Sequence, residues 1–377
     1  MQVRNFTMDS FIPISQPSIG ARERELVLDA VDSGWVSSIG KYIDEFETAF
    51  ARYCGTEFAL TVSNGTTGLH LALVTLGLGP GDEVIIPDLT FVATANAVAY
   101  TGATPVLADV DPDTLCIDPA SVESLITERT KVIMPVHLYG HPADMDALTT
   151  IARARGVTVI EDAAEAHGAE YKGRRVGGLS QCGVFSFYGN KVVTTGEGGM
   201  LTTNDRTFYL RAKRLRDHAM TPERRYFHDE RGFNYRMTNV QAALGVAQME
   251  RIHDFLKRRA EIMAWYNSVI PSSERVRLNR VKNWASSAFW MVCLEVEGFN
   301  ESRRDAFMRK LKQRGIDSRP YFCTMSSLPM YKQKPLPVAA RKAQSGLNLP
   351  SFFGLTQKDV ERIGGVVNEL LLDAGQR

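Results

Sequence analysis

Two side chains of this sequence have types and settings that suit covalent and proton-transfer chemistry. Lys191 lies in a stretch rich in Gly and Thr between two apolar runs, where burial would lower its proton affinity and favour Schiff-base formation. Asp162 follows the apolar run 157–161, and a buried carboxylate there requires a cationic partner such as a protonated heteroaromatic nitrogen. Each residue alone also has a simpler interpretation, a solvated surface lysine and a helix-capping aspartate.

A turn rich in glycine and hydroxyl groups follows the first apolar run and leads into a helical pattern. Gly65 and Thr66 lie in this turn, and free backbone N–H groups at a helix start can bind phosphate together with Thr hydroxyls. Asn234 belongs to a second polar segment, which offers an amide, a phenol and a guanidinium close to another helix start. A plain N-cap turn and a surface turn are the respective alternatives.

Together these groups match the requirements of pyridoxal 5'-phosphate (PLP). That cofactor needs a lysine amine, an acid that keeps its pyridine nitrogen protonated, and a cup for its phosphate. Lys191, Asp162 and the turn at Gly65 supply the three, and Phe91, after the second apolar run, can cover the ring. We therefore predict PLP as the cofactor.

The elements that must position these residues form an α/β pattern. Short apolar runs alternate with helical patterns through the first half of the chain, as in a mostly parallel sheet that helices cover on both faces. Ligands bind at the carboxyl ends of such strands, so polar residues directly after the runs carry the most functional weight. The predicted strands are residues 58–62, 83–87, 105–109, 131–136, 157–161, 183–187 and 200–203.

The sequence pattern changes near residue 238. Thr238 and Gln241 have the spacing of a capping box, which predicts a helix start, and the apolar stripe that follows runs towards Leu256. The remaining pattern is α+β, with a strand near 289–296, a helix over 303–314 and a closing helix. We predict a large cofactor domain over residues 1–255 and a small domain over residues 256–377.

Composition excludes several other classes of protein. The chain has 377 residues, of which 44% are hydrophobic. Its 44 Lys and Arg nearly balance its 43 Asp and Glu, so its net charge gives no reason to expect a nucleic-acid binder or a polybasic membrane anchor. The start, residues 1–7, lacks a signal-peptide layout, and no apolar run is long enough for a transmembrane helix. Five scattered cysteines without a CxxC indicate a reducing compartment. We expect a soluble cytoplasmic protein.

No metal site is predicted. His137 and His141 have the spacing of a helical metal pair, but Gly140 and Pro142 rule out a regular helix there. The basic clusters 211–216 and 257–259 are interpreted as solvated helix faces, and the first could lie near the phosphates of a substrate.

Four short segments carry a resemblance to a known enzyme family. They are Asn64-Gly65-Thr66-Thr67, Glu161-Asp162-Ala163-Ala164-Glu165-Ala166, Phe185-Ser186-Phe187 and Thr195-Gly196-Glu197-Gly198-Gly199. With them the chain resembles, from residue 35 to residue 350, the fold-type-I PLP aminotransferases that act on nucleotide-linked keto-sugars. The resemblance implies a seven-stranded, mostly parallel sheet sandwiched by helices, with a smaller α+β C-terminal domain. The sequence looks closest to the subgroup of GDP-perosamine synthases.

The resemblance implies roles for eight residues. Lys191 would bind the cofactor and shuttle protons, Asp162 would pair with the pyridine nitrogen, and Phe91 would stack on the ring. The phosphate would be held by Gly65, Thr66 and Ser186. Glu165 stands where many relatives have Gln, near the cofactor's phenolic oxygen. Asn234 would reach the phosphate in a neighbouring subunit, because family members build each site across a homodimer.

The implied reaction moves the amino group of L-glutamate, which leaves as 2-oxoglutarate, to the C4 ketone of a nucleotide-diphosphate 4-keto-6-deoxy sugar, GDP-4-keto-6-deoxymannose in this subgroup. The segment 319–326 departs from the subgroup's pattern, with Thr324 for Pro and Ser326 for His. An aminotransferase for a UDP- or dTDP-linked keto-sugar or an aminocyclitol is therefore the main alternative.

Two further alternatives have less support. Dehydratases on the same scaffold carry His at the position of Lys191. A non-catalytic regulator or a nicotinamide dehydrogenase would need a DNA-binding extension or a GxGxxG turn, and the sequence contains neither.

Overall fold

A seven-stranded sheet lies at the centre of the structure, a computed structural model that describes residues 11–373 and residue 375. The prediction about a signal peptide falls on residues outside this part of the chain. The strands in the first half of the chain are β1 (Phe58–Val62), β2 (Glu83–Pro87), β3 (Thr104–Ala108), β4 (Thr130–Ile133), β5 (Thr158–Asp162), β6 (Glu170–Tyr171), β7 (Arg174–Arg175), β8 (Cys182–Ser186) and β9 (Gly199–Thr203).

The order of strands in the central sheet is β1-β9-β8-β5-β4-β2-β3. Strand β9 is antiparallel to both of its neighbours, whereas β8, β5, β4, β2 and β3 pair in parallel. The mostly parallel seven-stranded sheet is thus confirmed. The carboxyl ends of β1, β8, β5 and β2 all meet at one edge, which is the edge that binds ligands in such sheets.

Helices cover both faces of this sheet. Along β2, Val84 and Ile86 enter one hydrophobic core together with α3 and α7, whereas Ile85 enters the other with α2, α6 and α8. Because successive side chains of a strand point to opposite faces, a strand buried on both faces is apolar throughout. The helices are α1 (Ala21–Asp32), α2 (Lys41–Cys54), α3 (Gly65–Thr75), α4 (Ala93–Tyr100), α5 (Pro119–Leu125), α6 (Met145–Arg155), α7 (Arg206–Arg216), α8 (Asn239–Glu250), α9 (Ile252–Val269), α10 (Glu301–Gln313), α11 (Pro337–Ser345) and α12 (Gln357–Asp373).

The C-terminal part of the chain forms a second, antiparallel sheet. Its strands run in the order β10-β12-β14-β13 and share a core with α9, α10 and α12. The predicted domain boundary at residue 255 falls inside α9, and the division into two domains stays a prediction. The C-terminal strands are β10 (Val276–Leu278), β11 (Ala285–Ser286), β12 (Val292–Val296), β13 (Arg319–Pro320) and β14 (Gly346–Leu349).

The capping box at Thr238 is confirmed, but the helix it starts is shorter than predicted. Thr238 accepts a hydrogen bond from the N–H of Gln241, whose side chain reaches back to the N–H of Thr238. The stripe predicted to run towards Leu256 is divided between α8 and α9. The backbone leaves helical geometry at Arg251 (φ −112°, ψ 2°), whose guanidinium lies 2.7 Å from Glu23 Oε1 of α1.

Within residues 11–373 and 375, no helix combines the length and the apolar character needed to cross a membrane.

Candidate active site

A cavity of ≈ 590 Å³ opens at the carboxyl ends of the central strands. Its wall includes seven of the eight residues that the sequence predicts for the site, namely Gly65, Thr66, Phe91, Asp162, Glu165, Ser186 and Lys191. The eighth, Asn234, does not line this cavity. It is exposed, and its side-chain oxygen accepts hydrogen bonds from Arg236.

The start of α3 and the end of β8 form one corner of this cavity. Asn64 caps the helix by accepting a hydrogen bond from the N–H of Thr67 at 2.9 Å, so the capping turn that was the alternative interpretation is present as well. A Cβ atom on Gly65 would lie 2.9 Å from the Ser186 Cβ, so only glycine allows this close approach. The first N–H groups of a helix lack intrahelical acceptors, and an anion can bind them.

Asp162 ends β5 and is 4% exposed. Its Oδ2 accepts a hydrogen bond from Thr94 Oγ1 at 2.8 Å, and its Oδ1 accepts one from the N–H of Ala164 at 3.2 Å. No helix begins after Asp162 in this fully described segment, so the capping alternative is wrong. Burial raises the pKa of Asp162, and the hydrogen bonds and the charge of Lys191 oppose that rise.

Strand geometry separates Asp162 from the adjacent carboxylate. Glu161 is buried, and it accepts hydrogen bonds from the N–H groups of Gly177 and Leu179 and contacts His137 Nε2 at 3.1 Å. Consecutive residues of a strand point to opposite faces. Glu161 therefore fastens a loop, while Asp162 faces the cavity.

The amine of Lys191 lies between a carboxylate and an aromatic ring. Its Nζ is 3.8 Å from Glu165 Oε1 and 3.7 Å from the centroid of the Trp290 ring. Burial lowers the pKa of Lys191, while the charges of Glu165 and Asp162 oppose that effect. A lysine of this kind is available as a neutral amine at lower pH than a surface lysine.

The second oxygen of Glu165 is held by the backbone. The N–H of Tyr139 donates to Glu165 Oε2 at 2.9 Å, and Tyr139 has the positive φ of 52°. Burial raises the pKa of Glu165 to about 7, although the charge of Lys191 and the Tyr139 hydrogen bond oppose the rise.

Aromatic side chains form the outer wall. Phe91 and Phe322 lie 5.6 Å apart between ring centroids, and Phe322 stacks on Tyr139 at 5.3 Å. The N–H of Phe322 also donates to the Tyr139 hydroxyl oxygen at 3.0 Å. This wall joins the segment after β2 to the C-terminal part of the chain.

The two departures from the subgroup's pattern lie at the base of this wall. Ser326 is buried, its N–H donates to Asp88 Oδ1 at 2.7 Å, and its hydroxyl donates to Asp88 Oδ2 at 2.8 Å. Thr324 is also buried and forms a backbone bridge with Leu89. Both residues fasten the C-terminal segment to the end of β2, and neither lines the cavity described above.

Sequence reasoning missed several residues of the site. Thr94 follows Phe91 by three residues and Thr90 by four, and this helix-like spacing could have revealed both threonines. Trp290 stands in a segment without a polar motif, and Phe322 lies inside the segment 319–326, where only the departures at Thr324 and Ser326 drew notice; both rings are far from Lys191 along the chain. Only the fold brings these two rings to the cavity.

Comparison with known proteins shows the family of the chain. The family model of the DegT/DnrJ/EryC1/StrS aminotransferase family matches residues 17–368. The chain is similar to the GDP-perosamine synthase of Caulobacter vibrioides, with 47% identity over 96% of this chain and 98% of that protein.

Two solved structures are similar to this chain over nearly its whole length. S. venezuelae DesV superimposes with a TM-score of 0.87 at 35% identity, covering 93% of this chain and 94% of that chain. Spr1654 from Streptococcus pneumoniae, in its PLP-form, superimposes with a TM-score of 0.89 at 29% identity, covering 96% of this chain and 100% of that chain.

Proposed function

The chain belongs to the DegT/DnrJ/EryC1/StrS aminotransferase family, and from this premise we propose that it aminates a nucleotide-linked keto-sugar. The donor is L-glutamate, which leaves as 2-oxoglutarate, and the acceptor is the C4 ketone of GDP-4-keto-6-deoxymannose, which gives GDP-perosamine. The similarity to the Caulobacter vibrioides GDP-perosamine synthase supports this acceptor. The placement of Lys191 in one cavity with two buried carboxylates, Glu165 and Asp162, is the single observation that carries the chemistry.

The residues around the cavity fit PLP. The N–H groups of Gly65 and Thr66 and the hydroxyl of Ser186 would hold its phosphate, in a corner that a larger residue than glycine would fill. Asp162 would pair with the pyridine nitrogen, Glu165 would lie near the phenolic oxygen, and Phe91 would cover the ring. When bound, PLP supplies an electron sink for the negative charge that develops at a carbon losing its proton.

The chain's own contribution to the chemistry is proton transfer by Lys191. In the first half-reaction, its Nζ takes the proton from the α-carbon of glutamate. In the second, it returns a proton to C4 of the sugar. A base works best when its pKa lies near the working pH, and burial moves the pKa of Lys191 in that direction.

We infer that the working unit is a homodimer. Trp35, Val36 and Ile39 are 57%, 48% and 63% exposed in one loop. Asn239 fastens this loop, because its side-chain amide donates to the Trp35 carbonyl and its N–H donates to the Ser37 carbonyl. The exposed apolar loop thus lies beside the segment that carries the outward-facing Asn234, which supports a contact of Asn234 with a partner's cofactor phosphate.

We place the enzyme in the cytoplasm, the compartment in which thiols stay reduced. The five cysteines are free, and four of them are buried.

The test is a substrate panel. Purified enzyme with glutamate is offered GDP-, UDP- and dTDP-linked 4-keto-6-deoxy sugars and a keto-cyclitol, and the amine product is identified by mass. We expect an amine on the GDP-linked sugar. Product from only a UDP- or dTDP-linked sugar or the cyclitol would overturn the proposed acceptor while leaving the aminotransferase chemistry in place.

A further inference from the structure

The indole of Trp290 faces the reactive amine in a way that the proposed reaction does not yet explain. Trp290 is 4% exposed, and Lys191 Nζ lies over its ring at 3.7 Å from the centroid. Nζ is also 3.8 Å from Glu165 Oε1. An aromatic face and a carboxylate both attract a cation, so the amine lies in a two-sided cradle for its charged form.

The orientation of the ring is fixed by two backbone carbonyl hydrogen bonds and one aromatic contact. The indole Nε1–H donates to the carbonyl of Asn190 at 2.8 Å, and Asn190 is the residue before Lys191. The Trp290 carbonyl accepts a hydrogen bond from Arg259 Nη1 at 2.7 Å. The ring also stacks against Tyr139, with centroids 6.2 Å apart. The ring face is therefore held towards the lysine.

The two sides of the cradle are joined at Gly140. A Cβ atom there would lie 2.9 Å from the Trp290 backbone nitrogen, and Gly140 has a φ of 98°. Its carbonyl accepts a hydrogen bond from the N–H of Ala288. Because the N–H of Tyr139 holds Glu165, the loop that fixes the carboxylate is in direct contact with the segment that carries the ring.

We propose that Trp290 is a positioning residue for Lys191: its ring and Glu165 hold the lysine ammonium in the stages when the lysine is not bonded to the cofactor. The inference rests on the proposed function, which requires Lys191 to leave the cofactor, to take a proton from glutamate in one half-reaction and to give a proton to the sugar in the other. A free lysine side chain has many rotamers. The cradle restricts them and returns the amine to the reacting carbon.

The surroundings of Lys191 have opposing effects on its pKa. Glu165 and Asp162 favour the ammonium, and burial opposes it. His167 lies nearby and stays neutral, because burial lowers its pKa to about 3. Removing the ring of Trp290 removes an attraction for the ammonium, so the free amine should form at lower pH.

The first experiment uses the apoprotein, so it does not depend on activity. Lys191 is labelled with acetic anhydride over a range of pH, and its peptide is quantified by mass spectrometry. In W290L we expect the midpoint of labelling to fall by about one pH unit, with W290F between W290L and the wild type. W284L is the matched control, because Trp284 packs on His141 and Tyr171 instead. Equal midpoints in W290L and the wild type would overturn the proposal.

The second experiment measures the half-reaction with glutamate carrying deuterium at the α-carbon. In W290L we expect a rate lower by about tenfold to thirtyfold, a larger isotope effect and little change in KM, with partial recovery in W290F. A slower rate with an unchanged isotope effect means that the ring acts only as scaffold and refutes the proposal. A wild-type enzyme that does not react with glutamate refutes the proposed function instead. The labelling experiment then still shows whether Trp290 stabilises the Lys191 ammonium.

Discussion

At the scale of single residues, the site depends on hydroxyl groups that hold a carboxylate. Thr94 Oγ1 donates to Asp162, so its oxygen is free to accept a hydrogen bond from Thr90 Oγ1, which lies 2.9 Å away. Both threonines are buried. This chain of two hydroxyls keeps Asp162 oriented towards the cavity and favours its ionised form.

The substitution T94V tests this chain, because Val has the shape of Thr but no hydroxyl. We expect cofactor affinity to fall by about tenfold, as for a lost hydrogen bond to a charged group. The measurement is a PLP titration of the apoprotein, followed by the visible absorbance of the bound cofactor. T94S retains the donor and should bind nearly as well as the wild type. Equal affinities of T94V and T94S would contradict the role of the hydroxyl.

Glu165 predicts a specific dependence of stability on pH. Its pKa in the folded protein is raised to about 7, above the usual value near 4.3, so the stability it contributes is present at low pH and is lost as pH rises through about 7. Relative to E165Q, the free energy of unfolding of the apo wild type should fall by up to about 3 kcal/mol from pH 5 to pH 8.

Urea denaturation of both proteins at several pH values in this range is the measurement. E165D retains a carboxylate and serves as the control for loss of packing. A difference between wild type and E165Q that stays constant with pH would show that Glu165 does not change its charge there.

At the scale of elements, local sequence patterns predicted the strands of the central sheet but not the contacts between residues that are remote along the chain. The seven apolar runs became the seven central strands with shifts of a few residues, because burial on both faces requires continuous apolar sequence. At the break between α8 and α9, Arg251 contacts Glu23, which is remote along the chain. Trp290 likewise reaches Lys191 through the close approach at Gly140, which no local pattern encodes.

The capping box of α8 gives a prediction at this scale. T238A removes the side-chain acceptor for the N–H of Gln241, and we expect it to lower the free energy of unfolding by about 1 kcal/mol. The measurement is urea denaturation. T238S retains the hydroxyl and should lose only a few tenths of that amount. Gln241 also donates to the Glu197 carbonyl, and Glu197 lines the cavity, so a loosened helix start would also weaken cofactor binding.

At the scale of the whole molecule, balanced charge is compatible with anionic ligands because the groups proposed to bind them lie close together. The chain has 44 Lys and Arg against 43 Asp and Glu, yet the α3 start, Ser186 and Lys191 converge on one cavity. Composition predicted that the chain is neither a nucleic-acid binder nor a protein with a polybasic membrane anchor. It could not predict where one polar pocket forms, because that depends on which strand ends lie side by side.

The position of Asn234 leads to a prediction about how two chains share their sites. It is exposed and lies outside the cavity of its own chain, so in the proposed dimer it serves the site of the partner. N234D would place a carboxylate against the cofactor phosphate, and K191A removes the base. Each variant alone should be inactive.

Co-expression of these two variants with different tags, and purification through both tags, gives only mixed dimers. One site of each mixed dimer then has an intact Lys191 and receives an intact Asn234 from the partner chain, so we expect about half of the wild-type activity. A mixed dimer of N234D with the double variant K191A/N234D has no intact site and is the control. If Asn234 served its own chain, neither mixed dimer would contain a complete site, and the absence of recovery in the first one would rule out a shared site.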